Sequence, residues 1–505
     1  MSLSAAFNII NSAFVANAGQ SAVISRNISN AGTKGYSREI ANLATIASGG
    51  VEVASVGREA NAALLEQVNT STSQAACQQA LSDGLTTLAQ TVSDSSSATS
   101  SSGATANGNS PSAMLANLQS ALETYDASPS SASAAQGVVT AAGDLTQSLN
   151  TGAAAVQNVR EKADSDMASA VDTVNSLLTQ FTSVNATIVS GTASGADISG
   201  AEDTRDSILT QLSQQVGIST VANPDGSTSI YTDSGVTLFQ GGEARTVSFT
   251  PTATLTDGAT GNAVMVDGVP ITGSSSPMAI QSGALAGLAK LRDVVAPQYG
   301  AQLDQLADGL VSAFSESDQT GGTAPTLPGL FTLSGASDVP ANSATTGLAS
   351  EIEVNAKVDP SQGGDATLLR DGGINNDPSA GTYVYTYNTT GAASYTGRIA
   401  QLVSATTSTR SFSDTTAKLG TSSASLGDYA DASVSWLQSQ NQKASNQLDY
   451  ENSLVSQATT AASNATGVNL DTEMTNMLSI ENSYTTTAKL LTTVNAMFTS
   501  LLNAV

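Results

Sequence analysis

The chain has no histidine and a single cysteine, Cys77, among 505 residues. The first absence removes Ser-His-Asp and Cys-His catalysis, every imidazole metal site and any histidine proton shuttle. The second excludes an intramolecular disulfide, and Cys77 itself reads as a small helix residue. Basic residues are scarce: 17 Lys and Arg stand against 42 Asp and Glu, a net charge of −25. That balance argues against nucleic acid and against anionic membrane surfaces, both of which need basic patches. Charged residues make up only 12% of the chain, so solubility rests on Ser, Thr, Asn and Gln. That polar, uncharged style suits exported proteins and low-complexity segments alike. No apolar run reaches the ~18 residues that suggest a membrane helix. No cleavable leader is visible: no Lys or Arg precedes Arg26, and no continuous apolar stretch follows Met1-Ser2-Leu3-Ser4. The expectation is a cytoplasmic protein, or one exported by a route that cleaves nothing.

Both ends of the chain carry apolar residues at alternating spacings of four and three. Near the C-terminus they are Leu470, Met474, Met477, Tyr484, Ala488, Leu491, Phe498 and Leu502, interrupted only by Glu481 and Asn495. Near the N-terminus they are Leu3, Phe7, Ile10, Phe14, Ile24 and Ile28, interrupted by Asn17 and Ser21. A helix turns every 3.6 residues, so each set lies along one face and forms a seam that wants a partner helix. The two seams can pair with each other, with neighbouring subunits, or with both. Such a design suits an assembly subunit.

Between the ends, helices are expected at 58–93, 113–125, 134–190, 284–316 and 426–462, after a first one at 3–28. The long one keeps its spacing through Ala163, Met167, Ala170, Val174, Leu177, Phe181, Val184 and Ile188. It requires a rod-shaped bundle. Residues 40–57 read as a hairpin or extended strand, and 94–112 as a flexible polar loop. Turn signals such as Asn223-Pro224-Asp225-Gly226, Asp233-Ser234-Gly235 and Asp267-Gly268 mark 216–282 as a compact β insertion. Residues 317–425 are mixed. The fold class is therefore mainly α with an inserted β domain, its discontinuous domains nested N-to-C. One domain takes 1–57 with 463–505 as a helical coiled-coil assembly region. A second takes 58–215 with 284–462 as a rod-like bundle, and 216–283 is the β insertion.

No catalytic, cofactor or metal site is expected. Gly363-Gly364 and Gly372-Gly373 lack the Lys-Ser/Thr and the strand-turn-helix frame of a phosphate loop. Asp225 and Asp257 belong to turns without calcium-loop spacing. The densest acidic run, Glu202-Asp203-Thr204-Arg205-Asp206, reads as a solvated helix entry with a local ion pair. Asp471 and Glu473 open the last helix, where acids favour the helix dipole.

The run Asn27-Ile28-Ser29-Asn30-Ala31-Gly32-Thr33-Lys34-Gly35-Tyr36 is more specific. Asn27 and Asn30 alone would be ordinary helix-end residues. The whole run resembles the N-terminal signature of bacterial flagellar rod, hook and hook-associated proteins. The following Ser37-Arg38 is typical of the hook–filament junction members of that family. At the other end Gly467-Val468-Asn469-Leu470-Asp471-Thr472-Glu473-Met474 resembles the same family's C-terminal motif, and Tyr484, Ala488 and Lys489 continue it. The resemblance covers roughly 60 residues at each end. Thr472, Ser29, Gly32 and Lys34 depart from the usual residues.

The resemblance implies a structural protein, not an enzyme, that leaves the cell unfolded through the flagellar type III export channel. It implies a secreted subunit in a short zone between hook and filament, with the terminal helices forming an inner coiled-coil layer. The implied partners are hook protein, a second junction protein, neighbouring copies of itself, and an export chaperone at the C-terminal helix. Asn27, Asn30, Gly35, Tyr36 and Arg38 would shape the joint after the first helix. The alternatives are another axial subunit of hook or filament, or a secreted adhesin that binds through the β insertion.

Overall fold

The computed structural model describes residues 3–503 apart from Ser48, 94–107, 336–337, 340–345, Pro378, Ala380, Gly381 and Tyr383. Most of the loop expected at 94–112 therefore lies outside the described residues. The first helix, α1 (Leu3–Asn30), leads into an antiparallel hairpin of β1 (Glu39–Thr45) and β2 (Val51–Arg58), with a bulge at Asn42/Leu43. Helix α2 (Ala62–Ala89) starts at an N-cap, Asn61, whose side chain accepts from the Leu64 amide. Helix α3 (Pro111–Ala127) starts in the same way on Ser110, with proline in its first turn.

Helix α4 (Ala132–Ser194) is the spine: 63 residues, roughly 95 Å at 1.5 Å per residue. The expected span of 134–190 was short at both ends. Ser131 caps the start, and Gly195 at φ 71° supplies the left-handed turn that stops it. One face stays buried from Ala135 to Ile188. Helix α5 (Ser199–Gln215) folds back on α4 and leads into two small antiparallel sheets. The first has the order β3 (Ile218–Ala222), β4 (Thr228–Thr232), β5 (Thr237–Gln240), β6 (Glu243–Ala244). The second is β7 (Val247–Ser248), β8 (Met265–Val266), β9 (Val269–Pro270). These sheets rest on the spine. Phe239 meets Phe181 of α4 edge-on at 4.9 Å, and Asn175 of α4 bonds both the N–H and the C=O of Val247.

Helix α6 (Ala284–Lys290) runs through one π turn (Leu291–Val295) into α7 (Ala296–Ala313). Gly287 lets α6 approach α2: a Cβ there would lie 2.3 Å from the Cys77 carbonyl oxygen. The π turn carries Arg292, wholly buried, which pairs with Asp164 of α4 and with Asp293. Beside it Arg160, also buried, donates to the Thr256 and Ala259 carbonyls. The two guanidiniums thus fasten the loop between β7 and β8 onto the spine. Residues 314–425 add short elements: β10 (Phe331–Leu333), α8 (Leu348–Glu351), β11 (Ile352–Val354), α9 (Leu368–Asp371), α10 (Gly397–Thr407), β12 (Arg410–Ser411), α11 (Asp414–Ala417) and β13 (Ser423–Ala424). The chain closes with α12 (Leu426–Thr466) against α2 and α13 (Leu470–Leu502) against α1.

One continuous apolar core runs from Cys77 on α2 to Ala444 on α12, and the sheet residues Ile230, Phe239, Val247 and Val266 belong to it. Each fully buried aliphatic or aromatic side chain contributes about 1.5–3 kcal/mol before ordering costs. No helix among the described residues is long and apolar enough to cross a membrane.

Candidate functional site

Helices α1 and α13 pack antiparallel. Phe14 meets Tyr484 edge-on at 4.9 Å, Asn17 donates to the Ser483 hydroxyl at 3.2 Å, and the Ser21 hydroxyl points to the Met477 sulfur. On α1 the seam positions Ile10 and Ile24 are buried, Leu3, Phe14 and Ile28 are partly buried, and Phe7 is exposed. On α13 Met477, Ala488, Leu491 and Phe498 are partly buried, whereas Leu470, Met474, Tyr484 and Leu502 are 50–76% exposed. The expected single seam thus divides between two sides. A strict 3.5-residue spacing drifts by about 20° per heptad on a 3.6-residue helix, so the set slides across the contact with α1. The packed side of α13 is completed by Glu473, Ile480, Thr487 and Val494. Outside this contact α13 exposes Leu470, Met474 and Leu478 on one flank of its first half, and Leu490, Met497 and Leu501 on the opposite flank of its second half.

The two end motifs, more than 430 residues apart in sequence, meet at Asn27. Its side chain is fully buried and all four of its bonds are made. Nδ2 donates to the Glu39 carbonyl at 2.9 Å and to Glu473 Oε2 at 3.2 Å. Oδ1 accepts from the Glu39 amide and the Tyr36 hydroxyl, both at 2.9 Å. Asn27 is therefore no helix-end cap. Only an amide, with two donors and two acceptor lone pairs, fits that position. Glu473 is equally buried, and its other oxygen accepts from Arg38 Nε at 2.7 Å. Arg38 also reaches Glu59 at 3.3 Å, and its amide donates to the Thr466 carbonyl at the end of α12. Burial, reinforced by the nearby Glu39 charge, pushes the Tyr36 hydroxyl up to about 12, so it stays a donor.

The remaining motif residues shape the chain around this point. Asn30 donates back to the Arg26 carbonyl and accepts from Thr33 Oγ1, which closes α1. Gly35 sits at φ 84°, where a side chain would be strained. The amide of Ser37 donates to Asp203 Oδ2. Gly467 follows α12 with its N–H on the Ser463 carbonyl, and a Cβ there would lie 2.4 Å from that same oxygen. Asn469 is the N-cap of α13 and accepts from the Asp471 and Thr472 amides. Asp471 is exposed in the first turn, where its charge meets the helix dipole.

One expectation is corrected. Glu202, Asp203 and Asp206 are no solvated face: all three close on Arg58 at the end of β2, at 3.0, 2.9 and 2.6 Å. The Arg58 side chain is only 6% exposed. Burial opposes its charge, but the three acids outweigh that and raise its pKa. Beside this cluster Arg26 holds Glu39 at 2.6 Å and Asp197 at 3.5 Å, and Ser199 donates to Glu39. Glu39, Arg58 and Asp197 escaped sequence reasoning. The only signal was the density of the acidic run in a chain poor in charge.

Known proteins match this arrangement in two stretches. Residues 103–329 match the model described as the flagellar hook-associated protein FlgK helical domain. Residues 460–504 match that of the flagellar basal body rod FlgEFG protein C-terminal. Both stretches are similar to flagellar axial proteins, the longer one to the FlgK helical domain. The flagellar hook-associated protein 1 of Escherichia coli K12 is 26% identical over 330 residues, covering 62% of this chain and 57% of that protein. The one from Salmonella typhimurium LT2 is 25% identical over 326 residues, 60% of this chain and 55% of that protein. The chain thus spans a little over half the length of the curated relatives it matches. A solved structure of the flagellar hook junction protein FlgK from Burkholderia pseudomallei aligns with a TM-score of 0.40 and 21% identity, over 53% of this chain and 46% of that one. That likeness is too loose to argue from. The FlgK helical-domain match ends inside the stretch that follows α7, and the second match begins within the last turns of α12 and holds all of α13.

Proposed function

We propose that this chain is a structural subunit of the bacterial flagellum that joins hook to filament and acts without catalysis or a cofactor. The observation that carries the reading is the meeting of the two end motifs on Asn27 and Glu473, beside helices α1 and α13 that still leave apolar residues exposed on both flanks of α13. A monomer gains nothing from exposing Leu470, Met474, Leu478, Leu490, Met497 and Leu501 on one helix; burying them against other subunits contributes about 1.5–3 kcal/mol each before ordering costs. The assembly seam, Leu3 to Ile28 and Leu470 to Leu502, is the surface we assign to that contact. In this reading 1–57 with 463–505 is the assembly region, 58–215 with 284–462 the rod-like body, and 216–283 the β insertion.

The partners in this reading are hook protein, a second junction protein and neighbouring copies of the chain, after export in an unfolded state. An export chaperone would cover α13, the C-terminal helix, before that. The test is addition of purified protein to hooks stripped of filament, followed by electron microscopy of labelled subunits. Labelling confined to the distal tip, with renewed filament growth from it, supports the junction role. A folded sample that ignores the tip and binds glycan or host protein as a monomer moves the weight to a secreted adhesin.

A further inference from the structure

Among the described residues, the apolar core includes none before Cys77 and none after Ala444. The buried residues Ile10, Val23 and Ile24 of α1 form no part of it. Two helices, the first half of α2 and the last half of α12, bridge the gap, and what they bury is mostly small or polar: Asn69, Ser71, Ser73, Glu451 and Ala458. Apart from the Arg38 amide on the Thr466 carbonyl, the remaining ties are ionic or hydrogen bonds to charged groups. Arg58 at the end of β2 faces Glu202, Asp203 and Asp206 on the first two turns of α5, and Ser37 bonds both Arg58 and Asp203. Arg26 and Glu39 meet Asp197 and Ser199 on the other side.

We propose that Arg58 and the three carboxylates of α5 form an ionic hinge that sets the angle between the terminal layer (α1, the hairpin and α13) and the helical body. An apolar interface resists sliding because every displacement exposes surface to water. A charged one does not carry that penalty: one guanidinium with five donors faces three acceptors spaced over a single helical turn, so it exchanges partners as the angle changes. Its stiffness falls as salt screens the partly exposed carboxylates. A subunit placed between two different axial lattices has a use for such a joint. That use rests on the junction reading, but the hinge itself does not.

The test places spin labels on the full chain at two exposed positions, Thr179→Cys on α4 and Thr485→Cys on α13, with Cys77→Ala, and measures the distance distribution between them. A single narrow distribution is expected at low salt. It should broaden about twofold at molar salt, where the screening length shrinks to a few ångströms. Arg58→Gln should broaden it at low salt, with the helical content and melting of the body unchanged. If Arg58→Gln fails to fold, the triple change Glu202→Gln, Asp203→Asn, Asp206→Asn keeps Arg58 and should give the same broadening. A width that stays constant from low to molar salt in the protein without hinge substitutions overturns the proposal, as does a folded Arg58→Gln protein with an unchanged distribution. None of these readouts involves hooks, so failure here and failure to bind hook tips are separate results.

Discussion

Asn27 and Glu473, 446 positions apart in the chain, hold each other at 3.2 Å, and neither side chain reaches water. The amide donates, the carboxylate accepts, and Arg38 neutralises the acid from the other side. Replacing Asn27 by Asp removes both donors and sets a second carboxylate against Glu473. An uncompensated buried charge costs about 3–5 kcal/mol. We expect Asn27→Asp to leave the body's melting unchanged and to release α13, seen as lost amide protection across Leu470–Leu502 in hydrogen exchange.

The two sides of α13 predict different defects. Leu491 is partly buried in the monomer and Leu478 is 58% exposed. Leu491→Asp should weaken the packing of α13 on α1 by about 2–3 kcal/mol and also block assembly. Phe14→Asp, which removes the ring beneath Tyr484, should behave likewise. Leu478→Asp should leave the monomer's hydrogen exchange as it was and still abolish binding to hook tips. If Leu478→Asp binds normally, the flank of Leu470, Met474 and Leu478 is not an assembly surface.

Arg292 is wholly buried between Asp164 and Asp293. Arg292→Ala leaves both acids without their cation and frees the loop that Arg160 also holds. A loss of about 3–5 kcal/mol is expected, measured by denaturant unfolding, with the fastest new exchange in residues 250–262.

Burial pushes the Asp304 carboxyl up to about 6, against an ordinary value of 3.8, although it accepts from the Gly347 and Ala349 amides. The folded state therefore holds its proton more tightly than the unfolded one. Its contribution to stability is fully present below pH ~4 and is lost as pH rises through 6. Relative to Asp304→Asn, the wild-type protein should lose roughly 3 kcal/mol of stability between pH 4 and 7. Parallel urea titrations of the two proteins across that range check it.

Helices were legible wherever one face was apolar over many turns: α4, α7 and α12 announce themselves in Leu, Val, Phe and Ala spacing. The glycine-bearing turns likewise marked the β insertion. The end motifs singled out Asn27, Tyr36, Arg38 and Glu473. What they bond to was not legible, because a hydrogen bond between residues 27 and 473 leaves no local pattern. Arg58 and the acidic run were hidden for the same reason, since 144 residues separate Arg58 from Glu202. The π turn at Leu291–Val295 has no spacing signature either.

A joint made by residues 27 and 473 also acts as a test of completeness. Contacts this distant form late, after the chain between them has been ordered. A chain broken off between α12 and α13 keeps its body but has no carboxylate for Asn27 and no partner for the inner face of α1. Its terminal layer stays open however well the rest folds. Fragments are thus excluded from any assembly built on that layer, and only chains synthesised through to the last helix present a finished end.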